Sequence, residues 1–126
     1  MLDSFARELV DGPNPAVVAT LNRDGVAQLT VVFVSRVDDT IVFSTTSERA
    51  KTKNLLRDPR ISILVLDPGD AGRYVEIRGT ARLERDPDKA LLDTMYEKYF
   101  GIQAPAEPGV DRLIVMVHPT KVTRHP

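Results

Sequence analysis

The chain has 126 residues, 42% of them apolar, and its formal net charge is −1. This length and apolar fraction predict a single folded domain spanning residues 1–126. The near-neutral charge argues against a nucleic-acid-binding protein. The absence of cysteine excludes disulfides and thiol catalysis, and two histidines without ligand spacing predict no metal centre.

No segment of the chain predicts export or membrane insertion. Residues 1–7 lack an apolar stretch preceded by positive charge, so they do not have the pattern of a signal peptide. No apolar run approaches the ~20 residues that a membrane-spanning helix needs. We therefore expect a cytoplasmic protein that acts without a membrane.

The first part of the chain predicts a helix followed by three antiparallel strands. Leu2–Val10 has the apolar spacing of an amphipathic helix. Ala16–Leu21 and Val26–Val37 are rich in β-branched residues and flank a tight turn at Asn22–Gly25, which predicts a hairpin. A third strand, Thr40–Thr45, follows after a second turn.

A short basic helix is predicted between residues 47 and 58. Thr45 and Glu48 have the spacing of a capping box, with Ser47 as an alternative N-cap. Pro59 ends the helix because its ring is incompatible with continued helical geometry. Five cations crowd into this segment: Arg49, Lys51, Lys53, Arg57 and Arg60.

Two of these cations predict an anion site. Arg49 and Lys51 fall in the first turn, where backbone N–H groups have no intrahelical partner and the helix dipole is positive. Cations at that end are unfavourable unless an anion lies with them, so we predict a phosphate site there. The alternative is a solvated basic face on a surface helix.

The remainder predicts two strands, a helix and a final strand. Ile61–Asp67 is almost continuously apolar, as in a strand that is covered on both faces. Tyr74–Glu84 alternates between apolar and polar residues, and Gly79 within it predicts a bulge or a close backbone approach. The final strand spans Val110–Arg124.

The helix before the final strand is predicted to begin at Asp86 as N-cap, with Pro87 in the first helical position, and to run to Phe100. We interpret Tyr96 and Tyr99 as core or dimer-interface aromatics. An apolar stripe along the helix consists of Leu91, Leu92, Met95 and Tyr99.

Six strands, mostly antiparallel, predict a mainly β (α+β) domain. Closure into a six-stranded antiparallel barrel with short flanking helices would leave no exposed strand edges. A barrel of that size is filled by its own side chains, so a large ligand must bind outside it or between two barrels. We therefore expect a homodimer with the binding groove at its interface.

Several motifs resemble one known family. They are the R-x-K-T-x-N-L pattern of Arg49–Leu55, the following Asp58-Pro59-Arg60, and the strand segments Phe43–Thr46 and Tyr74–Gly79. Together they resemble the split β-barrel flavin and deazaflavin oxidoreductases related to pyridoxamine 5′-phosphate oxidase. Within that family, the chain resembles the F420-dependent branch.

The resemblance implies where a cofactor binds. Arg49 and Lys51 would hold its phosphate, with Thr52 and Ser44 close by. The second strand would offer backbone groups to the ring system, since Val31 replaces an asparagine that some members carry. The implied cofactor site consists of Gln28, Leu29, Thr30, Val31, Val32, Ser44, Arg49, Ala50, Lys51, Thr52 and Lys53.

The resemblance also implies a reaction, namely hydride transfer from reduced coenzyme F420 to an electron-poor double bond of a small organic substrate. The alternatives are an FMN-dependent oxidase or reductase, and a non-catalytic carrier of flavin, deazaflavin or haem. The sequence identifies no catalytic residue, because it contains no Ser–His–Asp or paired-carboxylate motif. F420 is expected to bind better than FMN because Lys53, Arg57 and Arg60 could hold its anionic glutamate tail, with Arg23 on the hairpin turn as a further candidate.

Overall fold

The computed structural model describes all 126 residues and contains three helices and one sheet. The helices are α1 (Ser4–Asp11), α2 (Ala50–Arg57) and α3 (Ala90–Phe100). The strands are β1 (Ala16–Leu21), β2 (Ala27–Val32), β3 (Ser35–Val37), β4 (Thr40–Thr46), β5 (Arg60–Asp67), β6 (Asp70–Arg85) and β7 (Arg112–His125). None of the helices is long and apolar enough to span a membrane.

The sheet is antiparallel and open, with the strand order β2-β1-β5-β6-β7-β4-β3. The mainly β, α+β class is confirmed, but the predicted count of six strands and the predicted closure are wrong. The structure has seven strands because the predicted strand Val26–Val37 is interrupted at Phe33 and Val34. Its two parts, β2 and β3, lie at opposite edges of the sheet.

Side chains of α3 stabilise this interruption. The Tyr99 hydroxyl accepts a hydrogen bond from the Val34 N–H at 3.1 Å, and Lys98 Nζ donates to the Val34 carbonyl at 2.6 Å. Lys98 Nζ also donates to the Val10 carbonyl at 2.7 Å, and burial lowers the pKa of Lys98 to about 8. The backbone groups of Val34 are thus satisfied without a neighbouring strand, so the chain can cross from one edge to the other.

Helix α2 begins later than the capping-box pattern predicts. Its N-cap is Arg49, whose side chain makes no capping hydrogen bond, so the predicted roles of Thr45, Glu48 and Ser47 are wrong. Thr45 lies within β4, and its hydroxyl is 3.0 Å from the hydroxyl of Thr52. Thr45 is therefore part of strand β4 and does not cap α2, so N–H groups in the first turn of α2 remain unpaired.

Helix α3 also begins later than predicted, with Lys89 rather than Asp86 as its N-cap and with Pro87 outside the helix. Asp86 nevertheless satisfies the first turn, because its carboxylate accepts hydrogen bonds from the N–H groups of Ala90 at 3.1 Å and Leu91 at 2.9 Å. The sequence identified the capping residue but placed the helix start several residues too early.

Gly79 occupies the close approach that the sequence predicts. The register between β6 and β7 shifts between Arg78 and Gly79. A Cβ atom at Gly79 would lie 2.3 Å from the carbonyl oxygen of His118, which is far inside van der Waals contact. The close approach of the paired strands β6 and β7 at this register shift therefore requires a residue without a side chain.

We expect Gly79→Ala to lower the free energy of unfolding by about 1–3 kcal/mol, because the new methyl group forces two backbones apart. Urea denaturation of the purified protein measures this change. The matched control is Gly72→Ala in the same strand, where the added Cβ meets only the Asp70 carboxylate at 3.4 Å. Equal stability of the two variants would contradict the close approach.

Candidate functional site

The main pocket lies between the start of α2, strands β4 and β7, and helix α3. Its volume is about 280 Å³. The cationic and polar lining side chains come from β4, β7 and the start of α2, and the apolar and aromatic ones come from β2, the break after it and α3. The lining residues are Val31, Val32, Phe33, Ser44, Thr45, Arg49, Lys51, Leu92, Met95, Tyr96 and Arg112.

Helix α2 is anchored beside this pocket through Thr52. The Thr52 hydroxyl donates to the carbonyl of Thr46 at 2.6 Å and contacts the hydroxyl of Thr45 at 3.0 Å. Thr52 is almost fully buried, so these bonds form away from solvent. Thr52 thus attaches α2 to the end of β4, and its place beside a phosphate stays a prediction.

Asn54 anchors the other side of α2. Its Nδ2 group donates to the Thr20 hydroxyl at 3.1 Å and to Asn22 Oδ1 at 2.9 Å, which attaches the helix to the β1–β2 hairpin. Arg57 donates to Asn54 Oδ1 at 3.0 Å and to the Leu21 carbonyl. Arg57 therefore belongs to this anchor and does not line the main pocket.

Lys51 is the most unusual residue of the pocket. It is only 8% exposed, yet no carboxylate forms an ion pair or hydrogen bond with it. Desolvation lowers the pKa of Lys51, and the positive charges of Arg49 and Arg112 lower it further. A buried ammonium group among other cations is unfavourable, and a bound anion would relieve this repulsion.

The backbone at the start of α2 adds donors to these cations. The N–H of Thr52 bonds to the Arg49 carbonyl at 3.1 Å, whereas the N–H groups of Ala50 and Lys51 donate to no protein acceptor. Free N–H groups at a helix N-terminus, flanked by an arginine and a buried lysine, form an arrangement suited to a phosphate. The predicted anion site is thus assembled, and its occupation by phosphate stays a prediction.

Six residues of the predicted cofactor site do not line the pocket, namely Gln28, Leu29, Thr30, Ala50, Thr52 and Lys53. Gln28 accepts a hydrogen bond from the Thr20 hydroxyl at 3.3 Å, and the buried hydroxyl of Thr30 has no partner. Leu29 is 65% exposed, and Lys53 lies at the surface, 3.9 Å from Glu48. Because β2 is an edge strand, one side of its backbone is unpaired and remains available to a ring system.

The sequence assigned Val31 and Val32 to the site but missed the rest of the apolar lining, namely Phe33, Leu92, Met95 and Tyr96. Phe33 lies at the break between β2 and β3, with its ring centroid 4.5 Å from that of Tyr99 and 5.3 Å from that of Phe100. Tyr96 packs against Phe100 at 5.3 Å and lines the pocket together with Met95. The helical spacing of these residues indicated a buried face but not which cavity that face covers.

A second cleft adjoins the main pocket and shares two of its cations. Arg49 and Arg112 line both, and the second cleft has a volume of about 530 Å³. Its lining residues are Thr46, Ser47, Glu48, Arg49, Glu107, Gly109, Val110, Asp111 and Arg112. A ligand held by the shared cations can therefore extend to either side of them.

Comparisons with known proteins identify the family and the fold. The family model described as pyridoxamine 5′-phosphate oxidase matches residues 2–125. A solved structure named F420 reductase is similar with a TM-score of 0.88 and 26% identity, and the match covers 98% of this chain and 98% of that chain. The conserved hypothetical protein Rv2991 from Mycobacterium tuberculosis matches with a TM-score of 0.78 and 24% identity over 97% of this chain and 82% of that chain. HupZ from Group A Streptococcus matches with a TM-score of 0.73 and 17% identity over 98% of this chain and 94% of that chain. At these identities, HupZ and Rv2991 show the fold alone.

We expect Lys51→Met to raise the free energy of unfolding by about 1 kcal/mol in phosphate-free buffer of low ionic strength. The change removes a buried cation that has no carboxylate partner while it keeps the apolar volume. Urea denaturation measures the difference. Lys53→Met is the matched control, because Lys53 is exposed, and its change should stay within about 0.5 kcal/mol. If Lys51→Met is instead destabilising, the protein itself must supply a partner for Lys51.

Proposed function

We propose, from the premise that this chain belongs to the pyridoxamine 5′-phosphate oxidase family, that it is a reductase that uses the deazaflavin coenzyme F420. The broader class is a flavin- or deazaflavin-type oxidoreductase. The observation that carries the proposal is the anion site of Arg49, Lys51 and the free N–H groups of α2, in a pocket whose lining from β2 and α3 is apolar and aromatic. F420 is favoured as the cofactor because the similar solved structure at 26% identity is named F420 reductase.

The residues of the site divide the work of binding. Arg49 and Lys51 would hold the phosphate, while Phe33, Met95 and Tyr96 supply an apolar wall that excludes water. When bound, the reduced coenzyme supplies a hydride for an electron-poor double bond of a small organic substrate. The protein then needs to provide position and electrostatics, which agrees with a pocket that contains no carboxylate and no histidine.

FMN is the alternative cofactor, because it too carries a ring, a chain and a phosphate. Two of the cations expected to hold the F420 tail have partners of their own. Arg57 is bonded to Asn54, and Arg60 is bonded to Asp58 at 2.7 Å and lowers the pKa of that carboxyl to about 2. Of the cations expected to hold the tail, this leaves Arg23 and Lys53, and Lys53 Nζ itself lies 3.9 Å from a carboxylate oxygen of Glu48.

The second cleft gives a different reason to favour F420. The phosphate of FMN ends the molecule, whereas the phosphate of F420 is a diester whose second substituent must continue past the anion site. The shared lining of Arg49 and Arg112 leaves room for such a substituent in the second cleft. A terminal phosphate makes no use of that space.

We expect F420 to bind at least tenfold more tightly than FMN in fluorescence and absorbance titrations of the purified protein. Arg49→Ala should weaken F420 binding by roughly tenfold or more, since a charged hydrogen bond to phosphate contributes ~1.5–3 kcal/mol. Arg60→Ala is the control, because Arg60 pairs with Asp58 outside the pocket. Tighter binding of FMN than of F420 would make the FMN enzyme the better assignment.

The proposed enzyme includes a second copy of the chain. Leu29 and Val31 are 65% and 67% exposed on the outer face of β2, where they lie opposite Ala19 and Val17 of β1. This apolar surface is continuous with the main pocket, which Val31 also lines. The pocket is smaller than the ~300 Å³ lower end of small-molecule sites, so a partner subunit on this face would complete it.

Leu29→Lys should weaken the homodimer at least tenfold, because it places a charge in a surface that dimerisation would bury. Sedimentation velocity over a range of protein concentrations measures the monomer–dimer equilibrium. Val37→Lys is the matched control, since Val37 is equally exposed, at 65%, but lies in β3 at the opposite end of the strand order. A wild-type monomer that binds the cofactor tightly would refute the dimeric site.

A further inference from the structure

We propose that Arg112 is a third ligand of the bound phosphate and that Glu107 positions it. The inference rests on the proposed function only in taking the anion to be the phosphate of a cofactor. Arg112 is the first residue of β7 and lies about 60 residues after the motif that supplies Arg49 and Lys51. It was not assigned to the site from the sequence.

The geometry of Arg112 is that of a guanidinium held in one orientation. Its Nε donates to Glu107 Oε1 at 3.0 Å and its Nη2 donates to Glu107 Oε2 at 2.8 Å. This two-pronged pair occupies one edge of the guanidinium. The side chains of Arg112 and Glu107 are only 15% and 22% exposed, so the pair is not a loose surface contact.

The opposite edge of Arg112 is directed toward the main pocket. Nη1 lies 3.5 Å from the hydroxyl of Ser44, which lines the same pocket as Lys51. A guanidinium has five N–H donors, and Glu107 takes two of them. Nη1 makes only this long hydrogen bond to Ser44, so its second N–H is available to a phosphate oxygen without any loss of the bond to Glu107.

The charges around the pocket support this assignment. Glu107 compensates Arg112, while Lys51 has no carboxylate partner and Arg49 is exposed. The positive charge of Arg112 lies close enough to Lys51 to lower the pKa of the Lys51 ammonium. A phosphate among Arg49, Lys51 and Arg112 would thus be approached from both α2 and β7, which fixes its position better than α2 alone.

The first test uses inorganic phosphate as the probe, so it does not depend on the identity of the ring. Thermal unfolding is followed as phosphate replaces chloride at constant ionic strength. We expect phosphate to stabilise the wild type, with an apparent Kd that rises roughly tenfold in Arg112→Ala and less in Arg112→Lys. Arg85→Ala is the matched control, because Arg85 pairs with the neighbouring Asp111 and lines neither pocket.

Arg112→Lys also guards against a folding defect, since it keeps the positive charge that Glu107 requires while it loses the planar fork. The same phosphate dependence in Arg112→Ala and Arg85→Ala would overturn the inference. So would the absence of any phosphate effect on the wild type.

The second test compares F420 with its phosphate-free deazaflavin fragment. Arg112→Ala should weaken F420 binding by roughly tenfold and leave binding of the fragment within about twofold. Phosphate binding that needs Arg112, in a protein that binds neither F420 nor FMN, would support this inference and refute the proposed function. F420 binding that is unchanged in Arg112→Ala would support the proposed function and refute the role of Arg112.

Discussion

The anchoring of α2 is the constraint on which the site depends. A helix of eight residues has little stability of its own in water, so its position must come from tertiary contacts. Thr52 bonds it to the end of β4, and Asn54 bonds it to the β1–β2 hairpin. With the helix held on both sides, Lys51 is kept in the pocket although its burial among cations is unfavourable. The candidate site is thus held in place by Thr52 and Asn54, which do not themselves line the pocket.

The sequence predicts those features whose signals are local. The order of helices and strands follows from periodicity and turn residues, and the need for glycine at Gly79 follows from its place in an alternating strand. The cationic first turn of α2 is likewise contained in one short segment. The capping box failed for the complementary reason, because Thr45 pairs with Leu113 of β7, nearly 70 residues away, and stays in the sheet.

The open sheet and the apolar half of the pocket could not be predicted, because both depend on α3. The break between β2 and β3 requires Lys98 and Tyr99 to satisfy Val34, and nothing near Val34 in the sequence indicates their presence. Without that information, twelve residues rich in β-branched side chains predict a single strand, and a closed barrel is the reasonable expectation. The same helix places Tyr96 and Met95 against the pocket. The packing of α3 therefore affects both the strand order and the apolar lining of the pocket.

The two ends of the main pocket therefore differ in how they are encoded. The end proposed to hold the phosphate is encoded mainly by one local motif, with Arg49 and Lys51 two residues apart at the start of an anchored helix. The end proposed to hold the ring is lined by Phe33, at the break between β2 and β3, and by Met95 and Tyr96 of α3, which meet Phe33 only in the folded chain. A motif shared by two proteins can thus predict that both bind a phosphorylated cofactor without predicting which ring it carries. For the same reason, the choice between F420 and FMN depends on the residues beyond the phosphate, namely the apolar wall on one side and the second cleft on the other.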